Sequence, residues 1–228
     1  MDASWFEPVR AYCERTDAAF WSEPVNAATN AAFLVAAFLA ARIAPGDRPV
    51  QVLAGVVGVV GIGSFLFHTF ANRWSLLADV IPIAIFIYGY FGLALARFFG
   101  LSPGVAGLAT LAFAGAGFGL SPALDALTGR DVAALTNGSI DYLPAVLALL
   151  GVGLALAGRT AWAGRAVLVT GGLFLASLAF RTIDAQVCTA LPLGTHFLWH
   201  SLNALVLYRL LTTAARFRAA HPGLPAAV

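Results

Sequence analysis

The chain has 228 residues, 60% of them hydrophobic and 11% charged, with a formal net charge of +2 and a mean hydropathy of +0.85. A soluble domain carries about a quarter charged residues, and one of this size would expose much of so apolar a surface to water, so the composition excludes an ordinary soluble fold. The small net charge and the lack of any basic run exclude a nucleic-acid partner, and no protein partner is indicated.

The bilayer is the solvent that suits this composition, and it admits only helices or a closed barrel. The apolar stretches are about 17–23 residues long and lack the alternation of barrel strands, which selects helices. The expected fold is therefore an all-α membrane protein, a seven-transmembrane helix bundle. Residues 1–23 form an acidic N-terminal headpiece, 24–214 the bundle and 215–228 a polar tail. The headpiece carries Glu7, Glu14, Asp17 and Glu23 and has no apolar h-region, so it does not read as a signal peptide. All thirteen cations are arginine, which with the Ala and Gly richness points to a GC-rich bacterial genome and hence a bacterial inner membrane.

In chain order the predicted spans are 24–43, 50–70, 75–97, 104–120, 140–157, 163–180 and 194–214. Gly55, Gly58, Gly61 and Gly63 in the second would let a neighbouring backbone approach closely. That span also carries Ser64 and, one turn on, His68. Asp79 opens the third span. Residues 121–139 read as an amphipathic connection, with a short interfacial helix as the alternative; within it, Asn137-Gly-Ser139 fits a glycosylation sequon. The seventh span opens on His196-Phe-Leu-Trp-His200, a second i, i+4 pair, the spacing that lets two imidazoles share a metal. His221, in the tail, has no assigned role.

An odd number of spans puts the termini on opposite sides. Arg42, Arg48, Arg97, Arg159, Arg165, Arg216 and Arg218 fall on the C-terminal side, against Arg10, Arg15, Arg73, Arg130 and Arg181 on the other. The positive-inside rule thus places the N-terminus outside. In this topology His68, Asp79, His196 and His200 all lie in the leaflet nearest the N-terminus. Ionisable groups inside spans are costly and mark function. Three imidazoles leave an open fourth position, the pattern of catalytic zinc. Asp79 is placed to take a proton from a metal-activated water and pass it to a leaving group, and Ser64 to hydrogen-bond the water or a developing oxyanion. No HExxH is present, so this is not an ordinary zinc metalloprotease.

The pattern resembles the alkaline ceramidases, which share a superfamily with the progestin and adiponectin receptors. The resemblance rests on Ser64-x-x-x-His68, Asp79, His196-x-x-x-His200 and a headpiece with Cys13-Glu14, Trp21-Ser22-Glu23-Pro24-Val25-Asn26 and Thr29-Asn30, and it spans residues 12 to about 205. It implies zinc on His68, His196 and His200, with Ser64 and Asp79 beside the water. The implied reaction hydrolyses the amide of ceramide, a membrane lipid substrate drawn from the bilayer, to a sphingoid base and a fatty acid. It also implies calcium held by headpiece groups, Tyr12 through its carbonyl with Glu14, Asp17 and Glu23, although Ala11 stands where the family has an acid; the alternative is an acidic interfacial segment that caps helices and pairs Arg10 or Arg15. Cys13 and Cys188 share the N-terminal side, and the family's similar pairing implies a disulfide there; two free thiols are the alternative. Arg181 and Asp184 are read as partners for the headpiece acids. Two other functions stay open: a zinc hydrolase for another lipid amide or ester, and a non-enzymatic receptor or metal-transporting bundle.

Overall fold

The computed structural model describes residues 4–222, so the last residues of the expected tail lie outside the described chain. The described residues are helical apart from turns and one isolated bridge between Pro8 and Asn72. The helices are α1 (Pro24–Thr29), α2 (Ala31–Ile43), α3 (Arg48–Phe70), α4 (Arg73–Phe99), α5 (Pro103–Thr128), α6 (Val132–Leu135), α7 (Leu143–Ala157), α8 (Ala161–Val187) and α9 (His196–Ala220), with a 3-10 turn at Ser139–Tyr142 before α7.

Six stretches are long and apolar enough to cross a membrane, as a membrane protein requires: α1 with α2, α3, α4, α5, the 3-10 turn with α7, and α8. The expected seventh, α9, has the length, about 37 Å for its 25 residues, but not the hydropathy. Arg209, Arg216 and Arg218 occupy its second half, and His196, His200 and Asn203 its first. It can carry His196, His200 and Asn203 because it packs against α1, α2, α3, α4 and α8 with these residues buried, and Arg216 because its far end is exposed.

Three boundaries differ from expectation, one of them that of α9, which runs past 214 to Ala220 and into the expected polar tail. The fourth span does not end at 120: α5 runs on through Ser121 and Pro122 to Thr128, and only the short α6 and the 3-10 turn follow. A proline removes one backbone donor, which a peripheral helix tolerates; α5 exposes Leu108, Leu111, Phe118 and Leu127. Likewise α8 continues past 180 to Val187, carrying Arg181 and Asp184 within the helix.

Of the span-two glycines, Gly63 and Gly61 make the close approaches. A Cβ on Gly63 would lie 1.9 Å from the Ala78 carbonyl oxygen of α4, and one on Gly61 2.9 Å from Cβ of Phe33 on α2. Nothing lies within 4 Å at Gly55, and Gly58 makes only ordinary contact.

The ends of the bundle differ. At one, the Arg97 guanidinium grips Asp47 through two bonds of 2.8 Å and Arg218 joins at 3.2 Å. At the other, the headpiece is sewn onto the α3–α4 turn, with Val9 N–H donating to Ala71 (2.8 Å) and Arg73 N–H to Glu7 (3.2 Å).

Candidate metal centre

His68 sits in the last turn of α3, and His196 and His200 in the first turns of α9. All three are fully buried. One ligand nitrogen from each lies within 4.8 Å of the others, and this is the one such cluster of His, Cys, Asp and Glu among the described residues. Nε2 of His68 and Nε2 of His200 stand 3.1 Å apart, close to the roughly 3.3 Å that two nitrogens on one tetrahedral zinc would show.

The outer nitrogens explain why the rings face inward. Nδ1 of His68 donates to Glu23 Oε2 at 2.6 Å. Nδ1 of His200 donates to the Thr29 hydroxyl at 3.0 Å, which in turn donates to the carbonyls of Val25 and Asn26. Both Nε2 atoms are thereby left with lone pairs aimed at the shared point, the arrangement that outer-shell partners impose on metal-binding histidines. His196 stacks against Tyr12, ring centroids 3.5 Å apart, and its buried Nδ1 has no partner. Three buried imidazoles that converge, one with a bare buried nitrogen, suit a shared cation, so the donor set fits a metal ion.

Ser64 and Asp79 are buried where α3 and α4 approach most closely. Asp79 is outside the cluster of ligand nitrogens; one of its oxygens is buried and unpartnered, and His68, Arg181 and Ser64 lie near it. A carboxylate held beside a metal site with a free oxygen is equipped to accept a proton.

Asp184 and Arg181 do not pair with the headpiece acids. Asp184, fully buried, accepts from Thr195 N–H (2.6 Å), His196 N–H (2.9 Å) and Cys13 N–H (3.0 Å), so it caps α9 and fixes the turn on which His196 sits. It leaves no room at Gly194, where a Cβ would come within 2.2 Å of its oxygen and φ is +68°. Arg181 donates to the Tyr12 hydroxyl at 2.6 Å and lies over the rings of Tyr12, Tyr142 and Trp199 at 5.5–5.7 Å. The sequon residue Asn137 turns its amide to the Arg181 carbonyl (2.9 Å), and His221 stacks on Phe217 far from the cluster.

The structure contains the Cys13–Cys188 disulfide. It does not gather Tyr12, Glu14, Asp17 and Glu23 into one oxygen cage. Glu14 spends both oxygens on the N–H groups of Val25 and Asn26 at the start of α1 (2.7 and 2.8 Å). Asp17 turns back to Ala19 N–H at 2.8 Å; that bond and Ser22 hold its carboxyl below the usual range. Burial alone would raise Glu23, but His68, Arg15 and Asn26 outweigh it and keep this carboxyl low as well. Burial pushes the Tyr12 phenol upward, with Arg181 opposing.

An apolar cleft with a cavity volume of about 60 Å³ lies between α4, α5, α7, α8 and α9. Phe86, Tyr90, Phe113, Phe174 and Leu207 line it, and Asn203, one turn along α9 from His200, adds an amide. Sequence reasoning gave Thr29 and Asn203 no role; its alternative to calcium, headpiece acids that cap helices and pair an arginine, matches Glu14 at the start of α1 and Glu23 on Arg15. The run Thr29-Asn30 was visible, but nothing in the spacing linked it to a histidine 171 residues away.

No family model matches the sequence, and no curated protein is similar to it.

Proposed function

We propose that this chain is a zinc-dependent intramembrane lipid amidohydrolase of the alkaline ceramidase kind, acting on ceramide. The observation that carries the reading is the convergence of three buried imidazoles, two of them held by outer partners so that Nε2 faces the shared point, next to a buried carboxylate with a free oxygen. In this reading α9 is the seventh span, and the polar site lies toward the N-terminal end of the bundle, on the extracytoplasmic side of a bacterial inner membrane. The Cys13–Cys188 disulfide supports that orientation, since such bonds persist in oxidising compartments.

Zinc, when bound, supplies a Lewis acid that polarises a carbonyl and makes a water nucleophilic near neutral pH. The remaining steps belong to the chain. Asp79 accepts the proton as the water oxygen bonds to the amide carbon, then returns it to the nitrogen as the C–N bond breaks. The Ser64 hydroxyl donates toward the oxyanion that develops on the carbonyl oxygen. The apolar lining of the cleft, Phe86, Phe174 and Leu207 among it, suits an acyl chain, and in this reading the lipid binds with its amide at the histidines and its tail among the helices.

The test is mass spectrometry of products after incubating ceramides, and in parallel other acyl amides and esters, with zinc-loaded and with chelated protein. Release of fatty acid and sphingoid base is expected with zinc and lost on chelation, in Asp79→Ala and in His200→Ala, both still folded. Turnover that survives chelation and both substitutions sinks the mechanism. Turnover confined to another acyl lipid keeps the zinc chemistry and reassigns the substrate. Metal flux across liposomes without hydrolysis would favour a transporting bundle.

A further inference from the structure

The headpiece oxygens that do converge do so on an arginine. Arg15 lies in the segment before α1, yet its side chain and that of Glu23 are each only 3% exposed. Its Nε donates to Glu23 Oε1. One terminal nitrogen donates to the carbonyls of Asp17 (3.2 Å) and Ala19 (3.3 Å), and the other to those of His68 (2.9 Å) and Thr69 (3.5 Å). Five oxygens from three segments thus surround one guanidinium. A calcium ion would ask for six to eight such ligands, and the charge balance it would satisfy is already met, one cation against the one carboxylate of the cage.

The position of this cation matters to the histidines. The His68 and Thr69 carbonyls lie in the last turn of α3, where the helix presents its negative end and a cation is favoured. Glu23 is bifunctional: Oε1 takes Arg15, and Oε2 takes His68 Nδ1 at 2.6 Å, while the Asn26 amide adds a bond of 3.1 Å. A free glutamate has several rotamers, and the one observed reaches His68. Arg15 selects it.

We propose that Arg15 is a built-in cation that takes the place of a headpiece metal ion and, through Glu23, positions His68 with Nε2 toward the metal centre. The second half of this proposal rests on the metal-centre reading; the first half does not. Arg15 is a positioning residue, three links removed from the reacting atoms.

The experiment uses the full chain purified in detergent, free of calcium, and reads zinc affinity by competition with a chromophoric chelator alongside thermal unfolding. Raising calcium to about 5 mM, above the dissociation constants of weak protein calcium sites, leaves the midpoint and the zinc affinity of the wild type unchanged, whereas a specific ion would raise the midpoint. Arg15→Ala and Glu23→Gln each weaken zinc binding about 10- to 100-fold, the scale of lost outer-shell partners. Because they act in series, the double variant is no weaker than Glu23→Gln alone. A calcium-dependent rise in the wild-type midpoint overturns the built-in cation. Unchanged zinc affinity in Glu23→Gln, or additive losses in the double variant, overturns the relay. If Arg15→Ala does not fold, Glu23→Gln and the calcium titration still decide. If the wild type takes up no zinc, the metal centre falls, and the calcium titration continues to judge Arg15 on its own.

Discussion

Gly63→Ala is the most local perturbation that reaches both the packing and the site. The added Cβ would lie 1.9 Å from the Ala78 carbonyl oxygen and 2.7 Å from its carbon, both backbone atoms of α4 that cannot rotate away. Real Cβ contacts stay beyond 3.0 Å, so α3 and α4 must separate by about 1 Å along that line. Overpacking of this kind costs about 1–3 kcal/mol, which for a chain of this size lowers Tm by about 2–12 °C. The same point lies 3.3 Å from Asp79 N, so the displaced backbone carries the proposed proton acceptor away from His68. A misplacement of about 1 Å costs roughly a hundredfold in rate. Thermal unfolding in detergent and turnover of the lipid amide are measured together. Gly55→Ala on the same helix is the control: nothing lies within 4 Å, so it is neutral or gains up to about 1 kcal/mol from the helix preference of alanine. Gly63→Ala with wild-type Tm and turnover would refute the close crossing as the device that places Asp79.

Asp184→Ala leaves the buried N–H groups of Cys13, Thr195 and His196 without their acceptor, at a cost of about 3–5 kcal/mol. Chemical denaturation should show that loss together with weakened zinc binding, because the first turn of α9 loses its cap. Cys13→Ser opens a bond that joins residues 175 apart and should cost about 2–5 kcal/mol, the drop in Tm being reproduced by reducing the wild type. Thr29→Val removes the acceptor of His200 Nδ1 while keeping the shape; zinc affinity should fall about 10- to 100-fold, with little change in Tm.

The histidine cluster was legible because hydrocarbon makes polar residues conspicuous. An i, i+4 pair in α9 and a lone imidazole at the end of α3 stand out against apolar neighbours, and counting spans puts them at one end of the bundle. The partners that orient them were not legible. Glu23 and Thr29 lie 45 and 171 residues from the histidines they hold, and no periodicity links positions on different elements. Asp184 was noticed, but its charge suggested an ion pair, while the structure uses it as an acceptor for three backbone donors. The missed end of α5 has a different cause. Ser121-Pro122 reads as a break, yet an exposed helix loses a single backbone bond there and continues to Thr128.

The placement of the headpiece follows from the same economy of polar groups. A buried site needs outer partners, and spans built of Ala, Val, Leu and Phe have few to offer beyond Thr29 and Asp184. Residues 12–23 supply the others. Tyr12 stacks on His196, Glu23 holds His68 and Arg15 holds Glu23. Such a segment is useful only if it is fixed, because an outer partner that frays cannot set a tautomer. It is fixed three times: by the backbone bonds of Glu7 and Val9 to the α3–α4 turn, by the disulfide to Cys188, and by the Asp184 bond to Cys13 N–H. The last two converge on one residue, next to the ring that covers His196, so loosening Cys13 should disturb the histidines before it disturbs the bundle.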